Sequence, residues 1–158
     1  MAASLLGGVV ASVAGSTVRI PTLLDPSIIV WVPQQQTSTK ESRTKLPATV
    51  PFADAIFNVG RTALLVAAFA ANDVSALQTA TQDRLHQDVR FKKVPASQET
   101  LNSFVKAGAW CAWLSGSGPT VAAMCDDADA QRIADCLPDH GSTMVLRIAT
   151  HGAQLLAI

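Results

Sequence analysis

The residues best suited to chemistry sit in one short run, Trp113 to Met124, which reads WLSGSGPTVAAM. Gly116, Ser117 and Gly118 form its centre, with Pro119 behind them. Glycine reaches positive φ without a Cβ clash, so successive N–H groups in such a run can converge into a concave nest. A nest with a serine hydroxyl in it can hold an anion such as a phosphate. The same composition also makes a plain hairpin turn between two strands. The run has no lysine and lacks the G-x-x-x-x-G-K-[ST] spacing of a Walker loop. It opens onto an apolar, strand-like segment, so no helix dipole stands behind it. Residue chemistry alone leaves turn and nest both open.

Few other residues compete. The histidines are His86, His140 and His151, and no two have the spacing of a metal site. His86 lies in RLHQD with an aspartate two residues on, which is little support for a general base, and it is assigned no role. The three cysteines, Cys111, Cys125 and Cys136, form no C-x-x-C. An odd count without a close pair predicts buried core thiols in a reducing compartment, and so the cytoplasm. Twelve basic residues balance twelve acidic ones, which gives no nucleic-acid footprint. The opening MAASLLGG lacks the basic segment of a signal peptide. The longest apolar stretch, residues 52–71, carries Asp54, Asn58 and Arg61, which argues against a membrane span.

Strands and helices must position these groups. Gly7-Gly8 predicts a helix end entering a strand. Residues 8–14 and 17–20 predict a hairpin about Gly15-Ser16, and IIVWV, residues 28–32, a buried strand ended by Pro33. Ser38 and Glu41 fit a capping box for a helix that Pro47 stops. Residues 51–71 predict the longest helix. Phe52, Ile56, Val59, Ala63, Val66 and Ala70 make one stripe on it; Asp54, Asn58, Arg61 and Leu65 make another. So apolar a helix is expected to be buried on more than one side, with Asn58 and Arg61 a satisfied polar pair. Further helices are expected at 74–86, capped by Asp73, and from Ser97 as cap to Gly108 as terminator. The glycine-rich run joins two strands, followed by a short helix at 127–136 and strands in TMVLRIA and AQLLAI. Intermixed elements with hairpin connections imply an α+β fold.

The run GAWCAWLSGSGPTVAAM, residues 108–124, resembles the third motif of the GHMP small-molecule kinases. STKESR (38–43), DAIFNVGRTALLVAA (54–68) and TQDRLHQDVR (81–90) resemble homoserine kinases within that group. The resemblance runs through AASLLGGVV at the start and THGAQLLAI at the end, and it covers the C-terminal half of the family's chain.

The resemblance implies a ferredoxin-like sandwich, an antiparallel sheet with helices on one face. It implies residues 1–33 as strands bridging from an N-terminal half, and 34–158 as the GHMP kinase C-terminal domain. It also implies ATP-dependent phosphorylation of L-homoserine, a step of threonine biosynthesis. Homoserine is a zwitterion, and arginine matches a carboxylate bidentately. Arg43 and Arg90 match the family positions that hold that carboxylate. Thr39 matches a position close to the reacting hydroxyl; its plain alternative is a helix-start hydroxyl. Gly116, Ser117 and Gly118 match the loop lining the phosphate site. ATP and Mg²⁺ are implied, but the family's nucleotide loop and acidic Mg²⁺ ligand have no match in this sequence. No catalytic residue and no metal ligand is assigned. The chain is therefore expected to be inactive alone, with a homodimer or a complementing N-terminal half as possible partners. A non-catalytic amino-acid-binding module and another GHMP kinase are the alternatives.

Overall fold

The computed structural model describes residues 2–34 and 46–154. Ser38, Thr39, Glu41 and Arg43 lie outside the described residues, as do residues 155–158.

A four-stranded antiparallel sheet is the frame. Its strands are β3 (Ser27–Pro33), β4 (Cys111–Leu114), β5 (Val121–Cys125) and β6 (Gly141–Arg147), in the spatial order β4-β5-β3-β6. Helices fill the gap between β3 and β4, and one more lies between β5 and β6. That order and connectivity are those of the ferredoxin-like sandwich. β3 pairs with both β5 and β6, so a division after residue 33 would part an interior strand from its neighbours.

The burial of β3 alternates, as a pleated strand requires: Ser27, Ile29, Trp31 and Pro33 are buried and the residues between them are half-buried. Ile29 and Trp31 meet Ala112, Leu114, Val121 and Ala123 on one face. That face is covered by Phe104 of α5 (Pro95–Lys106) and Ile133 of α6 (Ala130–Ala134). On β4 and β5 the opposite phase, Cys111, Trp113 and Met124, packs with Phe69 and Leu77. Phe69 belongs to α2 (Phe52–Ala71) and Leu77 to the short α3 (Leu77–Ala80). Burial pushes the Cys111 thiol up to about 12. Cys125 is also buried, but Cys136 is exposed, against the expectation of three core thiols. Helix α1 (Ala2–Leu6) ends at Gly7, whose φ of +67° turns the chain into the hairpin β1–β2 (Val10–Val13, Ser16–Arg19).

Three expectations need correction. Helix α2 forms as read, but only Ala68 and Phe69 are buried. Phe52 is 80% exposed, Val59 70% and Ile56 56%. The polar stripe explains this orientation. Asn58 Nδ2 donates to Asp83 Oδ1 at 2.6 Å, Arg61 Nε donates to Gln82 Oε1 at 3.2 Å, and Arg84 lies 3.7 Å from Asp54. Those contacts turn the polar side inward, onto residues 82–84, and the apolar stripe outward. Asn58 and Arg61 are therefore satisfied, each by a loop residue and not by each other. By length and composition α2 could cross a membrane, yet this polar stripe is engaged by the domain itself.

The helix expected at 74–86 is a 3₁₀ turn, Val74–Ala76, and then α3, which stops at Ala80. Asp73 does cap it, accepting from the Ser75 N–H. Asp83 breaks the continuation, because its carboxylate captures the N–H groups that start the next helix. Finally, Ser97 is not the cap of α5. Pro95 takes the first turn, and Ser97 is fully buried within the helix.

Candidate active site

The glycine-rich run is a turn between β4 and β5. Ser115 N–H donates to Thr120 O at 2.8 Å, and Gly118 N–H donates to Ser115 O at 3.1 Å. Gly116 and Gly118 take φ of +59° and +70°, the region glycine favours. A Cβ on Gly118 would stand 2.9 Å from Leu114 Cδ1, so glycine is needed there for space as well. A Cβ on Gly116 would meet nothing within 4 Å, so that side of the turn is open. The Gly118 N–H is spent inside the turn and is not offered to an anion. Ser97 Oγ holds the far side of the turn by donating to Pro119 O at 2.6 Å.

Helix α4 (Gln87–Phe91) stands beside the turn and brings Arg90 to it. Arg90 Nη1 donates to Gly116 O at 2.9 Å and to His86 Nδ1 at 3.0 Å. Gln87, one turn back, is buried; its Oε1 accepts from Leu114 N–H at 2.7 Å, and its Nε2 donates to Thr81 O. β4 is an edge strand, so this side chain satisfies a backbone donor that the sheet leaves over.

Asp83 fixes the start of α4. Its Oδ2 accepts from the N–H groups of Leu85, His86 and Gln87 at 3.1, 2.7 and 2.7 Å. Burial pushes its pKa up, but the N–H donors of Gln87 and His86 and the Asn58 amide outweigh that, and the net shift is downward. A lowered carboxylate stabilises the fold above its ordinary value, near pH 4, and loses that contribution as pH falls through its folded value. Asp83→Ala is therefore expected to cost about 1–2 kcal/mol at neutral pH, as loss of a helix cap does. It should also flatten the acid limb of a plot of melting temperature against pH. An unchanged acid limb would mean that Asp83 is not the group that titrates.

The described residues thus bring Arg90, Gly116, Ser117 and Gly118 to one place. Thr39 and Arg43 lie outside them, so no distance joins those two to the turn. The sequence reading passed over Asp83 and Gln87, took Ser97 for a helix cap, and left His86 without a role. The aspartate four residues before Gln87 and the i,i+4 spacing of His86 and Arg90 were the available signals. A cleft of about 390 Å³ opens beside His86, between Asn58 and Arg61 of α2 and Trp113 of β4. Among the described residues no group of three or more His, Cys, Asp or Glu could hold a metal ion.

Residues 65–143 match the family described as GHMP kinases C terminal. The chain belongs to the GHMP kinases, in their C-terminal portion. Among the relatives of this GHMP kinase segment is the homoserine kinase of Desulfitobacterium hafniense, 38% identical, with 99% of this chain and 56% of that protein aligned. The homoserine kinase of Gloeobacter violaceus is 39% identical over 85% of this chain and 47% of its own length. The chain spans about half the length of the curated relatives it matches. The crystal structure of the Cytophaga hutchinsonii homoserine kinase superposes with a TM-score of 0.86 at 24% identity, covering 96% of this chain and 51% of that one. A mevalonate kinase from L. major superposes at 0.70 and 15% identity, over 91% of this chain and 49% of that one. At these identities the superpositions show a shared fold.

Proposed function

We propose that this chain supplies the acid-binding and phosphate-loop half of a homoserine kinase, which moves the γ-phosphoryl group of ATP to the hydroxyl of L-homoserine. The observation that carries the reading is the hydrogen bond from Arg90 Nη1 to Gly116 O. It sets the arginine suited to the substrate carboxylate one bond from the turn suited to a phosphate. Phosphoryl transfer is mostly positioning and charge stabilisation, so acceptor and donor must be held side by side. The homoserine kinases aligned along nearly the whole chain support the same substrate.

In this reading Arg90 and Arg43 hold the carboxylate, and Thr39 stands near the reacting hydroxyl. Gly116, Ser117 and Gly118 line one wall of the phosphate site. The open side of Gly116 fits a phosphate oxygen approaching the backbone. ATP supplies the transferred group. The described residues offer no acidic cluster for Mg²⁺, so no step is assigned through that ion. The remaining wall comes from chain equivalent to the other half of the relatives. The exposed stripe Phe52, Ile56 and Val59, with Val13 and Val18 of the hairpin, offers it an apolar seat. Free thiols, two of them buried, agree with the cytoplasm.

The test is ADP release from Mg-ATP, with and without L-homoserine. The 158 residues alone should give no homoserine-dependent release. Mixing with the separately produced N-terminal half of the Desulfitobacterium relative should restore it. Restored release that depends on mevalonate and ignores homoserine would remove the substrate assignment. Turnover by the chain alone would show that it builds its own nucleotide site.

A further inference from the structure

Among the described residues, Arg90 makes both of its hydrogen bonds through Nη1, to Gly116 O and to His86 Nδ1. Its Nε is buried with no hydrogen-bond partner. The orientation of the guanidinium therefore rests on two acceptors, and only one of them can be switched off. A guanidinium donates and cannot accept, so His86 Nδ1 is the acceptor and the ring proton sits on Nε2. That Nε2 faces Asp83 Oδ1 at 3.6 Å. Asp83 is itself immobilised by three backbone N–H groups and the Asn58 amide. The order is thus Asp83, His86, Arg90, Gly116.

We propose that His86 is a positioning residue whose neutral ring holds Arg90 and leaves the Nη2 end of the guanidinium for a bound carboxylate. This rests on the reading of Arg90 as the acid-binding arginine. When a solvent proton adds to Nδ1, the lone pair that accepts from Arg90 is gone. Two donors and two cations then face each other, and among the described residues Arg90 keeps only Gly116. The charged groups near the ring set when this happens. Asp83 favours the imidazolium. Arg90 opposes it from α4, and Arg61 of α2 lines the same cleft. Burial is the largest influence and also opposes the charge, so the His86 pKa lies below its ordinary value. The ring is neutral at pH 7, and the arginine is held there. Because the folded pKa is lowered, the contribution of His86 to stability is complete above about pH 6.5 and is lost as pH falls through the folded value.

The experiment follows the imidazole and guanidinium nitrogens of the 158-residue chain by ¹⁵N NMR from pH 8 to pH 4.5, with L-homoserine titrated at each pH. His86 should show a protonated Nε2 and an accepting Nδ1 at neutral pH, and Arg90 Nε should shift with the midpoint of His86. In His86→Gln the Arg90 signal should be flat with pH. Wild-type affinity for L-homoserine should fall about tenfold below that midpoint, as loss of one hydrogen bond to a charged group predicts. His86→Ala should be weakened at every pH. An Arg90 signal that ignores the His86 titration overturns the proposal, as does a proton on Nδ1 at neutral pH. If Arg90 follows His86 but homoserine binds at no pH, either to the chain or to its mixture with the complementary half, the coupling stands and the substrate reading falls.

Discussion

Trp31→Ala is expected to lower the unfolding free energy by about 3–5 kcal/mol, the usual cost of deleting a buried aromatic ring. Trp31 is fully buried on the strand that lies between two others, opposite Val121 on β5 and Thr143 on β6. Its Nε1 donates to Pro138 O at 3.1 Å, and its ring meets His140 edge-on with centroids 5.5 Å apart. Gly141 packs so closely that a Cβ there would come within 2.4 Å of the ring. One side chain thus ties the sheet to the segment leading into β6. Its removal leaves a cavity that a paired sheet cannot close, and a carbonyl without its donor. Ile56→Ala is the internal comparison. It lies on the outward stripe of α2 and should change stability by less than about 0.5 kcal/mol. Urea denaturation of the two variants measures the contrast. Similar losses would mean that the outward stripe is covered in solution and that α2 is not oriented as described.

That contrast marks where the sequence was legible. Trp31 and Ile56 are both apolar residues in apolar runs, and periodicity finds the element for each. The strand at 28–32 was readable because its length, its β-branched residues and Pro33 all agree. The hairpin was readable in outline, but its turn is Ala14-Gly15, both at positive φ, with Ser16 already in β2 and not in the turn as expected. The glycine-rich turn was readable because positive φ is a local demand that glycine meets. Which side of α2 faces the core is not local. It depends on Asn58 reaching Asp83, 25 residues on, and no period in the helix encodes that partner. The break at residue 81 is local, made by Asp83 capturing the His86 and Gln87 N–H groups, and its signal was available but unread. Distance did hide the true role of Ser97, whose hydroxyl bonds to a residue 22 positions away. Arg90 entered the site only through family resemblance, since a lone arginine in a polar segment reads as a surface charge. The contact with Gly116 gives it a physical reason to be there. His86 was visible as the i,i+4 neighbour of Arg90, but spacing alone does not say which ring nitrogen faces the arginine.

Arg90→Ala is expected to cost about a hundredfold or more in affinity for L-homoserine, the scale of losing paired, charge-assisted hydrogen bonds to a carboxylate. The measurement is a calorimetric or NMR titration of the amino acid, made on the chain and on its mixture with the complementary half. Arg90→Lys should recover little. An ammonium carries the charge but not the fork, and three jobs compete for it: the Gly116 carbonyl, the His86 nitrogen and the acid. Stability should change much less than affinity. Arg90 is only half-buried, and because its Nε has no partner, no hydrogen bond is lost there when it is removed. Adding Arg43→Ala should abolish detectable binding if the two arginines share one carboxylate, because neither can then be replaced by the other. A substrate without an amino-acid carboxylate would respond differently. Mevalonate carries its acid on a longer skeleton, and a sugar carries none, so neither should follow the single and double losses in step with homoserine. Unchanged homoserine affinity in the double variant would end the assignment of these arginines. The geometry around Gly116 would then describe a turn held in place by an arginine, and the substrate acid would have to be sought elsewhere.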